Sequence, residues 1–283
     1  MKVFITGGTG FIGSNFINYA TNLGIHIVAQ KRLSSQTKLK IHNPEKVKWI
    51  DKDLDEDFEE ELRDCDALIH LAAHSVIPPY KPLSECLYWN VFAAIKLLEA
   101  AERADVRNVI MAGSCFEYGL SANDYEKIPP NAKLKPVETY GVSKALATEA
   151  CMAFAKGKQI KLQVLRIFQV YGDGENERRF WPSLKKAALS GNDFPMSSGE
   201  QIRDFIHVSK VCDVFLRAIS VDIVPGKPVI RNVGTGVGTT LLDFAKEWWS
   251  TWGATGQLIP GAIGLRPGEL HRIVADIDSV FEN

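Results

Sequence analysis

Apolar residues in this chain fall into short runs separated by stretches of helical periodicity. The runs lie at 2–5, 25–30, 47–50, 67–72, 108–113 and 162–168 and predict strands. Helical spacing of apolar positions marks 11–23, 56–63, 84–103, 140–156 and 181–190. In the first of these, Phe16, Ile17, Tyr19, Ala20 and Leu23 form the stripe, and Gly24 stands where a helix end needs it. Such alternation predicts an α/β fold, a doubly wound parallel sheet with helices on both faces, its winding set by right-handed crossovers. Past residue 171 the pattern loosens, Pro and Gly become frequent, and only 208–220 and 240–252 keep a helical stripe. The expected division is 1–171 as the sheet domain and 172–283 as a smaller, loop-rich part with some segments returning to the sheet.

Composition narrows the function classes. A net charge of −1 over 283 residues, without a long basic run, disfavours a nucleic-acid partner. The chain enters its first strand at once, so no secretory signal is expected. No apolar stretch approaches the ~18 residues of a membrane span. The cysteines (Cys65, Cys86, Cys115, Cys151, Cys212) are odd in number, scattered and free of Cys-x-x-Cys spacing. That usage fits a reduced, cytoplasmic protein with neither a metal site nor a disulfide framework.

Three features carry chemistry. Directly after Val3-Phe4-Ile5 comes Thr6-Gly7-Gly8-Thr9-Gly10-Phe11-Ile12-Gly13. Glycines between a strand and a helix allow a tight turn and a close backbone approach to a pyrophosphate at the helix N-terminus, so a dinucleotide site is expected. Tyr140 and Lys144 lie one helical turn apart. An ammonium near a phenol favours phenolate and lowers its pKa from about 10, which suits proton exchange near neutrality. An exposed helix pair is the plain alternative. Ser114 ends the fifth strand, where it could hold a substrate oxygen beside Tyr140 or merely satisfy a strand end.

TGGTGFIG, the Ser114 strand end, Tyr140-x-x-x-Lys144 and the later RDFIHV together resemble the extended short-chain dehydrogenase/reductase superfamily, in its nucleotide-sugar branch, the NAD-dependent epimerase/dehydratase family. The resemblance implies a Rossmann sheet and catalysis by Ser114, Tyr140 and Lys144 around a nicotinamide. It implies cofactor contacts from Gly7, Gly10, Phe11, Ile12 and Gly13, and from Asp53-Leu54 at the adenine. Leu71, Ala72 and Ala73 after His70, Asn90 in the long helix, and Phe168 and Val170 in Arg166–Gly172 complete the cofactor set. On the substrate side it implies His74, Ser75, Ser114, Cys115, Phe116, Gln169 and Arg179, with Arg203, Arg266 and Glu269 from segments where arginines grip a sugar nucleotide's diphosphate. Surface or ion-paired arginines, such as Arg203 with Asp204, are the alternative.

The departures from the family pattern set the expected activity. Gln30-Lys31-Arg32 stands where members that prefer NAD carry an acid, which favours a 2′-phosphate and hence NADP; solvated surface charge is the alternative. Cys115-Phe116 replaces the Asp-Glu of 4,6-dehydratases, so dehydration is not expected, and Gln169 replaces an asparagine. Tyr171-Gly172-Asp173-Gly174-Glu175-Asn176, with GEQIRDF, is most similar to deoxysugar 4-ketoreductases of the CDP-abequose synthase type. The leading expectation is NADPH-dependent reduction of a nucleoside-diphosphate 4-keto-deoxyhexose, feeding surface polysaccharides. The alternative is an NAD-dependent 4-epimerase, and a more distant one is a non-catalytic nucleotide sensor. A homodimer is implied through helices 84–103 and 140–156, whose Val91, Phe92, Ile95, Leu98, Leu146, Cys151 and Phe154 would serve equally well against their own sheet. Neutralising Lys31 and Arg32 together is expected to weaken NADPH far more than NADH in fluorescence titrations; equal weakening removes the 2′-phosphate assignment.

Overall fold

The computed structural model describes residues 1–265 and 268–277. The chain runs β1 (Lys2–Thr6), α1 (Phe11–Asn22), β2 (His26–Lys31), β3 (Val47–Asp51), α2 (Glu59–Leu62), β4 (Ala67–His70), α3 (Leu83–Leu87), a π turn (Tyr88–Phe92) and α4 (Ala93–Arg103). It continues through β5 (Asn108–Ser114), α5 (Thr139–Lys158), β6 (Lys161–Ile167), β7 (Gln169–Tyr171), α6 (Phe180–Leu189), β8 (Phe194–Pro195), β9 (Ile202–Arg203), β10 (Phe205–His207) and α7 (Val208–Ser220). Last come β11 (Val229–Val233), β12 (Thr239–Thr240), α8 (Leu241–Thr251), β13 (Leu258–Ile259) and β14 (Arg272–Ile273).

Among the described residues, seven strands form the central sheet in the order β11-β6-β5-β4-β1-β2-β3, every neighbouring pair parallel. The strands are apolar at successive positions because both faces are covered. Val3 and Ile5 of β1 pack with Phe16 and Ile17 of α1 and Val211 and Phe215 of α7. Phe4, one position out of phase, packs on the other face with Leu97 and Leu98 of α4 and Ala147 and Cys151 of α5. The chain order reverses between β1 and β4, so their carboxyl ends open the crevice where such sheets bind ligands.

The elements differ from the sequence reading in three places. β4 stops at His70 rather than at 72, because Leu71 N and Ala72 N turn aside to Thr6 O and Thr6 Oγ1, each at 3.3 Å. The second helix shrinks to Glu59–Leu62, anchored by the fully buried Phe58 and Leu62. The long helix 84–103 is α3, the π turn and α4 in succession, with Asn90 in the π turn.

Beyond β7 the chain builds small sheets, β7 with β10, β12-β9-β14, and β8 with β13, while α7 and β11 pack back into the main body. An aromatic core joins α6 to α8: Phe205 stacks on Phe244 at 3.8 Å, and Trp181 meets Trp248 and Trp252 edge-on at 5.6 Å.

The first turn depends on absent side chains. Gly7 has φ +70°, and a Cβ there would lie 2.7 Å from Ala72 N; a Cβ on Gly13 would lie 2.1 Å from Gly7 O. Gly13→Ala is expected to cost about 1–3 kcal/mol through forced displacement of the turn. Gly157→Ala, in an open position of α5, should stabilise by about 0.5–1 kcal/mol. Urea denaturation of both variants checks the opposite signs.

Candidate active site

One cleft of about 800 Å³ runs from the glycine turn across the carboxyl ends of β1, β2, β4, β5 and β6. It brings together residues far apart in sequence: Gly7, Gly10, Phe11, Ile12 and Gly13 at the turn, Lys31, Arg32, Asp53 and Leu54 at one end, and Leu71, Ala72, Ala73, His74 and Ser75 along one side. Ser114, Cys115, Phe116, Tyr140 and Lys144 meet Phe168, Gln169, Val170 and Arg179 in its other half.

At the turn, Gly10 N donates to Gly7 O at 3.0 Å and Ser14 N to Gly10 O at 2.9 Å, which starts α1. α1 has no side-chain cap, so its first amides face the cleft. An anion is suited to that end electrostatically. A Cβ at Gly13 would strike Gly7 O, so its absence keeps α1 tight against the turn, a geometry that suits a pyrophosphate at the helix N-terminus. Gln30, buried at the end of β2, accepts from Gly7 N at 3.4 Å and donates to Lys52 O at 2.8 Å, locking turn and strand ends together. Lys31 is half-engaged: its Nζ lies 3.3 Å from Asp51 Oδ1 and over the Trp49 ring. Arg32 is exposed at the cleft edge.

Ser114, Tyr140 and Lys144 converge from β5 and α5. The Ser114 hydroxyl accepts from Phe116 N at 3.2 Å and is near enough to the Tyr140 phenol to act on its proton. Tyr140 lies between aromatic rings, stacked with Tyr80 at 6.0 Å and edge-on to Phe116 at 6.2 Å. Burial pushes the phenol above its ordinary range, and the Ser114 hydrogen bond works against this. The sequence reading placed the ammonium against the phenol and expected a lowered pKa. Instead Lys144 Nζ donates to Ala112 O at 2.7 Å, and burial lowers its own pKa. Burial also lifts the Cys115 thiol to about 12, so Cys115 is a neutral wall residue.

A group that sequence reasoning missed holds this centre. Glu117, with no exposed surface, accepts from Ser114 N at 2.8 Å, Thr148 Oγ1 at 2.9 Å and Arg166 Nε at 2.7 Å. Arg166 also donates to Pro130 O at 3.1 Å and lies 4.6 Å from the Tyr118 ring. The signal was present: Ser114-x-x-Glu117 has the spacing of a capping box, and that is the geometry found.

Three predicted contacts do not reach the cleft wall. Asn90 is buried and satisfied internally, accepting from His74 N at 2.7 Å and donating to His74 O and Ser143 Oγ; it braces the His74 loop. Arg203 bonds its own strand's carbonyls and Glu269 at 3.4 Å, so the pair neutralises itself outside the cleft. Its partner is not Asp204, which is buried and accepts from Thr235, Gly236 and Ala275. Arg266 lies outside the described residues. Arg178 and Arg179 instead cross to the loop after β4, donating to Pro78 O at 3.1 Å and Val76 O at 3.4 Å.

The sequence profile of the NAD dependent epimerase/dehydratase family matches residues 3–234. A UDP-glucose 4-epimerase of Lactobacillus helveticus is 30% identical, the match covering 98% of this chain and 88% of that protein. Among solved structures, a UDP-N-acetylglucosamine 4-epimerase from Methanobrevibacter ruminantium M1 in complex with UDP-N-acetylmuramic acid superposes with a TM-score of 0.89 at 26% identity, covering 99% of this chain and 90% of the other. MoeE5 in complex with UDP-glucuronic acid and NAD superposes at 0.84 with 28% identity, covering 99% and 91%.

Glu117→Ala is expected to cost about 3–5 kcal/mol, because it strands the buried Arg166 guanidinium. Adding Arg166→Met should recover part of that loss, read from urea midpoints.

Proposed function

This chain belongs to the NAD dependent epimerase/dehydratase family of extended short-chain dehydrogenase/reductase enzymes, and from that premise we propose that it moves hydride at C4 of the hexosyl group of a nucleoside-diphosphate sugar. The observation that carries this is the convergence of Ser114, Tyr140 and Lys144 in the same cleft as the glycine turn. A pyridine nucleotide supplies the hydride-transfer chemistry when bound; Gly7–Gly13 and the α1 N-terminus would hold its pyrophosphate, and Asp53 and Leu54 its adenine.

The protein's own residues handle the proton. Tyr140 exchanges it with the sugar O4. Burial raises its pKa and favours the protonated phenol, the form that gives a proton to an incipient alkoxide in the reductive direction. Ser114 orients O4 by hydrogen bonding, and Glu117 keeps Ser114 in place. Lys144 contributes positive charge at the cleft floor. Arg179, which lines the cleft while donating to Val76 O, answers the substrate diphosphate. Arg203 and Arg266 remain candidates for the same role if the Arg203–Glu269 pair opens.

Two directions of C4 chemistry fit. The relatives' activities favour 4-epimerisation, in which a bound pyridine nucleotide would supply the hydride chemistry at C4 while Tyr140, entering as phenolate, would take the O4 proton and give it back. UDP-sugars are the substrate class named for those relatives. The end of β2 favours the second reading, NADPH-dependent 4-ketoreduction, since it carries Gln30, Lys31 and Arg32 in place of an acid. Asp51 already answers part of the Lys31 charge, which lessens the weight of that argument. A homodimer fits both readings, with Tyr88, Phe92 and Leu146 exposed on the two helices concerned, while Leu98 and Cys151 are buried in this chain's own core.

Product analysis separates the readings. Epimerisation converts UDP-glucose to its C4 epimer without net cofactor change. Reduction consumes NADPH one-for-one with a 4-keto sugar and gives a product two hydrogens heavier. Neither reaction with any nucleotide-sugar overturns the proposal. In whichever assay is positive, Tyr140→Phe should fold normally and lose about 10²–10⁴-fold in turnover; near-normal turnover removes Tyr140 from the mechanism.

A further inference from the structure

The loop after β7 puts one further carboxyl group on the cleft wall, that of Glu175. Its backbone is pinned from several sides. Asn15 Nδ2 donates to Asp173 O at 2.9 Å, Glu175 N to Gly172 O at 3.2 Å, and Arg179 N to Asn176 O at 2.8 Å. Gly174 stands so close to the loop before β3 that an added Cβ would lie 3.2 Å from Leu39 Cγ. The backbone that carries the carboxyl is therefore fixed, and the Glu175 Oε2 is buried with no hydrogen-bond partner. A buried carboxylate oxygen without a donor is costly, and native structures keep such groups where a ligand or water completes them. Burial accordingly lifts the Glu175 pKa to about 7, with Arg179 opposing the rise.

The missing partner must be a donor. Phosphate oxygens of a dinucleotide or a sugar nucleotide only accept, and their charge repels a carboxylate. Sugar hydroxyls donate, and a charge-assisted bond to a carboxylate is the strong kind. Two sources exist, the ribose of a nucleotide and the hexosyl group. Glu175 and Arg179 share the segment that follows Gln169 and Val170, and Arg179 donates to Val76 O in the loop that also carries His74 and Ser75. Glu175 therefore stands beside that loop, on the side of the cleft expected to hold the hexosyl group.

We propose that Glu175 accepts a hydrogen bond from a hydroxyl of the hexosyl group of the bound nucleotide-sugar, and so selects for that hydroxyl. The assignment rests on the nucleotide-sugar reading above and deepens it.

Calorimetric titration of the full chain and of Glu175→Ala and Glu175→Gln tests it. The probes are the glucose adducts of UDP, dTDP, CDP and GDP, the same diphosphates without sugar, and NAD. For the adduct that the unaltered chain binds, Glu175→Ala should weaken binding about tenfold or more. The matching free diphosphate and NAD should bind within about twofold of the unaltered chain. Glu175→Gln keeps an acceptor oxygen and should recover part of the affinity. Between pH 8 and pH 6 adduct binding by the unaltered chain should weaken as the carboxyl protonates, and in Glu175→Gln it should stay flat. Unchanged adduct affinity in both variants overturns the proposal. So does a loss confined to NAD, which would assign the hydroxyl to ribose. An unaltered chain that binds no adduct and no diphosphate overturns the nucleotide-sugar reading, and this assignment falls with it.

Discussion

The active centre hangs on a buried ion pair. Glu117 and Arg166 are almost wholly removed from solvent, and their 2.7 Å contact joins the turn after β5 to the end of β6. A charge in that position is tolerable only when both carboxylate oxygens find donors. Glu117 meets this condition with Arg166, Ser114 N and Thr148 Oγ1, so the same carboxylate anchors the Ser114 backbone and the helix carrying Tyr140 and Lys144. Tyr118, beside the pair, extends the network to Asn232 at the end of β11, at 2.6 Å. Relative placement of Ser114, Tyr140 and Lys144 thus follows from satisfying one buried charge.

A second buried carboxylate performs the parallel task for the C-terminal part. Asp204, between β9 and β10, gathers Thr235, Gly236 and Ala275 around its two oxygens. Gly234 is needed beside it, since a Cβ there would lie 2.5 Å from Asp204 Oδ2. With the aromatic core between α6 and α8, this fixes the platform from which Arg178 and Arg179 reach over the loop after β4. The two halves of the chain therefore meet across the cleft through arginines, which leaves the contact polar and open to exchange for a charged ligand.

Much of this was legible from residue order. The parallel sheet was visible because strands buried on both faces are apolar at every position, and the glycine turn because no other residue fits the Gly7 and Gly13 geometry. Ser114, Tyr140 and Lys144 were identifiable by type and spacing. Glu117 was readable in principle as a capping box, but its burial against Arg166 was not, since nothing local says that residues 49 positions apart share a pair. Asn90 and Arg203, expected as ligand contacts, also make internal bonds that their local sequence does not announce.

The sequence by itself determined the layering of the fold, the glycine turn after β1 and the placing of Ser114, Tyr140 and Lys144 at a strand end and one helical turn, because each depends on backbone geometry or on neighbours within a turn or two of the chain. Only the tertiary structure decided which charges are spent internally and which face the cleft. That choice pairs Lys31 with Asp51 and Lys144 with Ala112 O, and it leaves Glu175 without a partner. Desolvation and pairing depend on what long-range packing brings within a few ångströms, and no local spacing encodes that distance.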